Sequence, residues 1–133
     1  MALSSVLVVE DDPVICVGLE LALSDAGWQS MKSACCYEDA LAAINARSFD
    51  YCILDLDLGH SFEGPFPNEP EGRRLLAILR SRGVSTVVYS GILDEQRRIS
   101  DLDPSVITID KTEPAQTVIE ALGRFKRSKS ACS

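Results

Sequence analysis

The stretch Val6-Leu7-Val8-Val9-Glu10-Asp11-Asp12-Pro13 decides the fold. An unbroken aliphatic run, mostly β-branched, is what a strand covered on both faces requires. Asp12-Pro13 then has the form of a helix N-cap followed by proline at the first helical position. So the chain enters as strand, acids, helix. A second run, Tyr51-Cys52-Ile53-Leu54, ends the same way, in Asp55-Leu56-Asp57. Carboxylates at the exit of buried strands gain nothing from packing. If the two strands are neighbours in a parallel sheet, these acids converge on one rim. Two carboxylates about 5 Å apart repel by roughly 3 kcal/mol at an effective dielectric near 20, so the rim calls for a cation.

Outward from these runs the pattern alternates. A helix is expected from Asp12-Pro13 to about Ala26, with Ile15, Leu19 and Ala22 on one face and Gly27 as its stop. Trp28 to Ala34 reads as a weaker, edge-side strand, and Glu38 to Ala46 as a helix. Residues 59–72, rich in glycine and proline, read as an irregular inserted loop. Arg73 to Ser81 resumes a helix with Leu75, Leu76 and Leu79 as its stripe. Ser85 to Tyr89 is a strand leading into Ser90, Asp94 to about Leu102 a weak helix, and Val106 to Ile109 the last strand, leading into Asp110-Lys111. Pro114 to Lys126 is the final helix, with Val118, Leu122 and Phe125 at helical spacing. Five βα units of this kind predict an α/β, doubly wound (βα)5 domain: a five-stranded parallel sheet with helices on both faces. The expected domain spans 1–127, with the loop at about 59–72 and a basic, disordered tail at 128–133.

The bulk properties agree. The chain has 133 residues and a net charge of −7, with 46% hydrophobic and 25% charged residues. That suits one domain with a real core and argues against a nucleic-acid or anionic-membrane binder. The five cysteines, Cys16, Cys35, Cys36, Cys52 and Cys132, are odd in number and lack a C-x-x-C pair. They read neither as a disulfide framework nor as a zinc site, and the adjacent Cys35-Cys36 pair reads as having no role. No signal peptide or membrane-length run is visible, and the expected location is the cytoplasm.

In doubly wound sheets, ligands bind at the carboxyl ends of the strands. The residues there are Glu10, Asp11, Asp12, Asp55, Asp57, Ser90 and Lys111. Acids, one hydroxyl and one ammonium suit phosphoryl chemistry. Mg²⁺, with Mn²⁺ as the alternative, prefers oxygen ligands and keeps waters that a phosphoryl oxygen can displace. A carboxylate beside it can act as nucleophile. Lysine and serine can stabilise the transferring group.

On these motifs the chain resembles the receiver domain of bacterial two-component response regulators, CheY-like in type, over about residues 4 to 127. The resemblance implies the strand order 2-1-3-4-5. It makes Asp11 a direct metal ligand and Glu10 its partner through water. It makes Asp55 the phosphoacceptor and the Asp57 backbone carbonyl a further metal ligand. Ser90 takes the Ser/Thr switch position and Lys111 the lysine position. The implied partners are a sensor histidine kinase or a histidine phosphotransfer protein, and downstream a protein target or an output domain beyond this chain. A homodimer through the last helices and strand is also implied. No direct nucleic-acid or membrane contact and no enzymatic turnover beyond slow self-dephosphorylation are expected.

Several positions depart from the family pattern. Gly59 stands where the loop proline is usual, and the Asp-Gly pair is matched by Glu71-Gly72 after the insertion. Thr112 replaces the proline after the lysine. Thr108 holds the place of the aromatic switch residue. Asp57 adds a third acid two places after the acceptor. Asp12 divides between a helix cap and a metal role, and His60 in the loop between a solvated side chain and a modulator of the site. Two rival functions remain: a haloacid-dehalogenase-type phosphatase using Asp55 and Asp57 as its Asp-x-Asp motif, and a receiver-like interaction module that is never phosphorylated.

Overall fold

The computed structural model describes residues 4–56, 71–91 and 105–131. The strands are β1 (Ser5–Val9), β2 (Ser30–Ala34), β3 (Tyr51–Leu54), β4 (Ser85–Ser90) and β5 (Val106–Asp110). The helices are α1 (Pro13–Asp25), α2 (Tyr37–Ala46), α3 (Glu71–Ser81) and α4 (Ala115–Ala131). The strands form one five-stranded sheet in the order β2-β1-β3-β4-β5, and every pairing is parallel. This is the expected α/β architecture. The expected helix at Asp94 to Leu102 and the loop at 59–70 lie outside the described residues.

The two faces of the sheet build two cores, as the period-2 alternation of strand side chains requires. Leu7, Val9, Cys52, Leu54 and Val88 point to the side covered by α2 and α3, where they meet Ala40, Ile44, Leu75 and Leu79. Val6, Val8, Ile53, Val87 and Tyr89 point to the side covered by α1 and α4, against Leu19, Leu23, Val118 and Leu122. β1 and β3 are buried along their whole length, which is why they read as continuous apolar runs. β2, with its intermediate and exposed positions, is an edge strand.

Asp12 caps α1: its carboxylate accepts hydrogen bonds from the Val14 and Ile15 amides at 2.9 and 3.5 Å. The helix closes at Gly27, whose φ of +92° is open to glycine. Several boundaries differ from expectation, and β2 begins at Ser30 rather than Trp28. α3 begins at Glu71 rather than Arg73, with Gly72 in its first turn close against the Leu56 backbone. The backbone of α4 continues to Ala131 rather than ending near Lys126, since nothing in Lys126-Arg127-Ser128-Lys129-Ser130 breaks a helix. The helix backbone thus runs past residue 127 into the stretch expected as a tail.

Candidate functional site

Register builds the site. Val9 pairs with Leu54 across β1 and β3, and the Asp55 amide donates to the Val9 carbonyl at 3.0 Å. The residues that follow, Glu10 and Asp55, are therefore neighbours at the carboxyl edge of the sheet. Both are buried, each with 2% of its surface exposed. Asp11 is exposed beside them, and one carboxylate oxygen from each of Glu10, Asp11 and Asp55 lies within 4.8 Å of the others. This donor set is all oxygen, which suits a hard divalent ion such as Mg²⁺.

Lys111 reaches this pair from the far side of the sheet. Its Nζ stands 2.9 Å from Asp55 Oδ2 and 3.0 Å from Glu10 Oε2. The Lys111 amide donates to the Ser90 carbonyl at 3.3 Å, so the ends of β4 and β5 hold the lysine backbone in place. The Tyr89 hydroxyl adds a clamp through the carbonyl of Glu113, with that of Lys111 also nearby. The Asp110 carboxylate accepts from the Thr112 amide at 2.8 Å, which tightens the same turn. No cis peptide bond occurs among the described residues, Lys111–Thr112 included.

The electrostatics follow from burial. Desolvation, reinforced by the Asp55 charge, pushes the Glu10 carboxyl up to about 7. The Asp12 amide, 3.1 Å from Glu10 Oε1, and Lys111 pull in the other direction without cancelling it. Burial works against the charge on Lys111, but its hydrogen bonds to Asp55 and Glu10 outweigh that and raise its pKa above the ordinary lysine value.

Glu10, Asp11, Asp55 and Lys111 are thus brought together. Ser90 is fully buried at the end of β4, on the same rim. Asp12 spends its carboxylate on the helix cap and is absent from the three-acid cluster. Thr108 is half-buried in β5, paired with Val88. Asp57 and His60 lie outside the described residues.

Two positioning residues escaped the sequence reading. Tyr89 looked like an ordinary strand aromatic. Gly72 was matched to a family position, but its physical role is steric. A Cβ there would lie 2.4 Å from the Cα and carbonyl oxygen of Leu56. Only glycine lets the first turn of α3 rest on the backbone immediately after Asp55. The signal available in the sequence was a glycine opening a helix, where it has no propensity to recommend it.

The family model described as "Response regulator receiver domain" matches residues 6–103. The chain belongs to that family. The fold of the CheY-like response regulator receiver domain protein from Methanospirillum hungatei JF-1 matches with a TM-score of 0.78 at 18% identity, over 99% of this chain and 100% of that one. The receiver domain of NtrX from Brucella abortus matches with a TM-score of 0.73 at 26% identity, over 90% and 95%. A 58-residue stretch, 44% of the chain, is 33% identical to "Inactive protein FRIGIDA" of Arabidopsis thaliana and spans 18% of that protein's length. The receiver family is a phosphoacceptor signalling module rather than a classical enzyme, and its acidic residues generally bind Mg²⁺. No helix among the described residues is long and apolar enough to cross a membrane.

Proposed function

We propose that this chain accepts a phosphoryl group on Asp55 from a histidine kinase or a histidine phosphotransfer protein and relays it as a conformational signal. The observation that carries this reading is the lysine-bridged pair: a buried Asp55 held 2.9 Å from Lys111, beside Glu10 and Asp11. Such an Asp55 is oriented by the lysine and shielded from water.

In the step proposed, an Asp55 carboxylate oxygen attacks phosphorus and forms the P–O bond. The P–N bond of the phosphohistidine breaks, and its electron pair stays on the imidazole nitrogen, which takes up a proton. The Lys111 ammonium offsets the negative charge brought in by the phosphoryl oxygens. The Ser90 hydroxyl, on the same rim, is the proposed donor to one of those oxygens. Glu10, Asp11, Asp55 and the Asp57 carbonyl would hold Mg²⁺, which supplies positive charge for the phosphoryl group. The output is a shift between two pre-existing conformations, with β5 and α4 as the proposed readout surface. Thr108 has no ring to flip, so its contribution would be its hydroxyl and not an aromatic swing. The proposed domain is the whole sheet-and-helix unit with the 59–72 insertion, acting in a cytoplasmic setting.

The test is mass measurement of the intact protein after incubation with a small acyl phosphate and Mg²⁺. The expected result is one added phosphoryl group, absent in Asp55→Asn and absent when the metal is chelated. Sustained release of phosphate from esters would support the phosphatase instead. No adduct, even with a cognate kinase, would leave an interaction module and overturn the proposal.

A further inference from the structure

A second group of ligand-type side chains lies at the carboxyl end of β2, where α2 begins. Cys35 Sγ is 3.7 Å from Asp39 Oδ2. Cys36 is the N-cap of α2, and its Sγ accepts from the Asp39 amide at 3.4 Å. One donor atom from each of Cys35, Cys36 and Asp39 lies within 4.8 Å of the others. Cys35 and Asp39 are exposed and Cys36 half-buried, so the cluster opens to solvent.

We propose that Cys35, Cys36 and Asp39 form a binding site for a thiophilic divalent cation of the Zn²⁺ class, with a fourth position left to water. The distances fit such an ion. With Zn–S near 2.3 Å and Zn–O near 2.1 Å, a tetrahedral site has an S···O edge of about 3.6 Å and an S···S edge of about 3.8 Å. The observed Cys35–Asp39 separation of 3.7 Å is already at that edge. Two sulfurs and one carboxylate select a borderline-soft ion over Mg²⁺ or Ca²⁺, which take oxygen. Glu38, also in the first turn of α2, adds negative charge on the same side. A Cys35–Cys36 disulfide uses the same sulfurs but gives the Asp39 carboxylate no part.

The site is separate from the oxygen pocket yet tied to the same rim. The Glu10 amide donates to the Ala34 carbonyl at 3.1 Å, and Cys35 follows directly. The spacing C-C-x-x-D carries none of the usual zinc signatures, so the arrangement emerges only from the strand-to-helix junction.

Co²⁺ serves as the probe, added to the full chain kept reduced. Thiolate ligation gives a sulfur-to-metal charge-transfer absorbance that oxygen ligands do not. The expected result is saturation at one equivalent and displacement by Zn²⁺. The band should survive in Asp55→Asn, which disables the oxygen pocket, and vanish in Cys35→Ser and in Cys36→Ser. Serine is a better N-cap than cysteine, so Cys36→Ser keeps α2. Asp39→Asn should weaken binding by roughly tenfold or more, at least the loss seen when a residue that merely supports a ligand is removed. A missing band at one equivalent, or a band that persists in the Cys35→Ser/Cys36→Ser double variant, would overturn the site. Unchanged affinity in Asp39→Asn would overturn the three-ligand geometry.

Discussion

The inside of the sheet and the two acids at its carboxyl edge, Glu10 and Asp55, are equally buried and opposite in energetics. Leu54 is fully buried, and the next residue, Asp55, has only 2% of its surface exposed. At Leu54, burial is the driving force. At Asp55 and Glu10, the same burial opposes the charged form, and the pair stays in place because Lys111 lies 2.9 to 3.0 Å from both. The rim is therefore a place where the fold is held by compensation. Such a balance responds to ligands, whereas the interior does not, and a phosphorylation switch needs that responsiveness.

The sharpest way to separate the two regions is to damage each and ask what rescues it. Leu54→Ala removes a side chain packed between β1, β3 and the helices α2 and α3. It should lower unfolding free energy by about 3 kcal/mol or more, measured from the urea midpoint. The loss should be the same with and without Mg²⁺ and nearly independent of pH. A loss that Mg²⁺ largely restores would break the comparison, since it would tie an interior residue to the charge balance of the rim.

Lys111→Ala tests the rim. Breaking a fully buried ion pair costs about 3–5 kcal/mol. Lys111 keeps 24% of its side-chain surface exposed, so a smaller loss of roughly 2–3 kcal/mol is expected at neutral pH. Unlike the interior loss, it should shrink on adding Mg²⁺, which, held by Glu10, Asp11 and Asp55 as proposed, would favour the native state and replace the missing positive charge. Phosphoryl adduct formation should slow strongly in the same variant. A loss indifferent to Mg²⁺ would mean that Lys111 acts by packing and not by charge.

The contrast also explains what was legible beforehand. Strands buried on both faces write themselves as unbroken apolar runs, so β1 and β3 were readable, and the acids after them stood out against that background. Lys111 was readable because it follows the last strand directly. The parts that were not readable depend on contacts between distant segments. Gly72 matters because of the Leu56 backbone, and Tyr89 because its hydroxyl finds the turn after β5. Asp12 was ambiguous because a cap and a metal ligand use the same side chain. Cys35, Cys36 and Asp39 come together across a strand-to-helix corner, where neither period of regular structure applies. Local pattern encodes the scaffold, and tertiary contact assigns the supporting roles.

The smallest effect expected is the pH profile, and it has an unusual sign. Carboxylates usually stabilise a native state as pH rises. Glu10 is shifted the other way, from 4.5 to about 7, first by burial and then by Asp55. Between those values the native state keeps a proton that the unfolded chain has released. Its contribution to stability is therefore full below about pH 4.5 and is lost as pH rises through about 7. Glu10→Gln mimics the neutral form at every pH. The difference between variant and native protein should be small near pH 4.5 and favour the variant above pH 7. Chemical denaturation at a series of pH values, without divalent ions, measures it. Mg²⁺ should then reverse the order, because the ion rewards the ionised carboxylates and Gln carries no charge to offer. A variant that is less stable than the native protein at alkaline pH would show that Lys111 fully compensates the buried pair. The rim would then be as settled as the core beneath it.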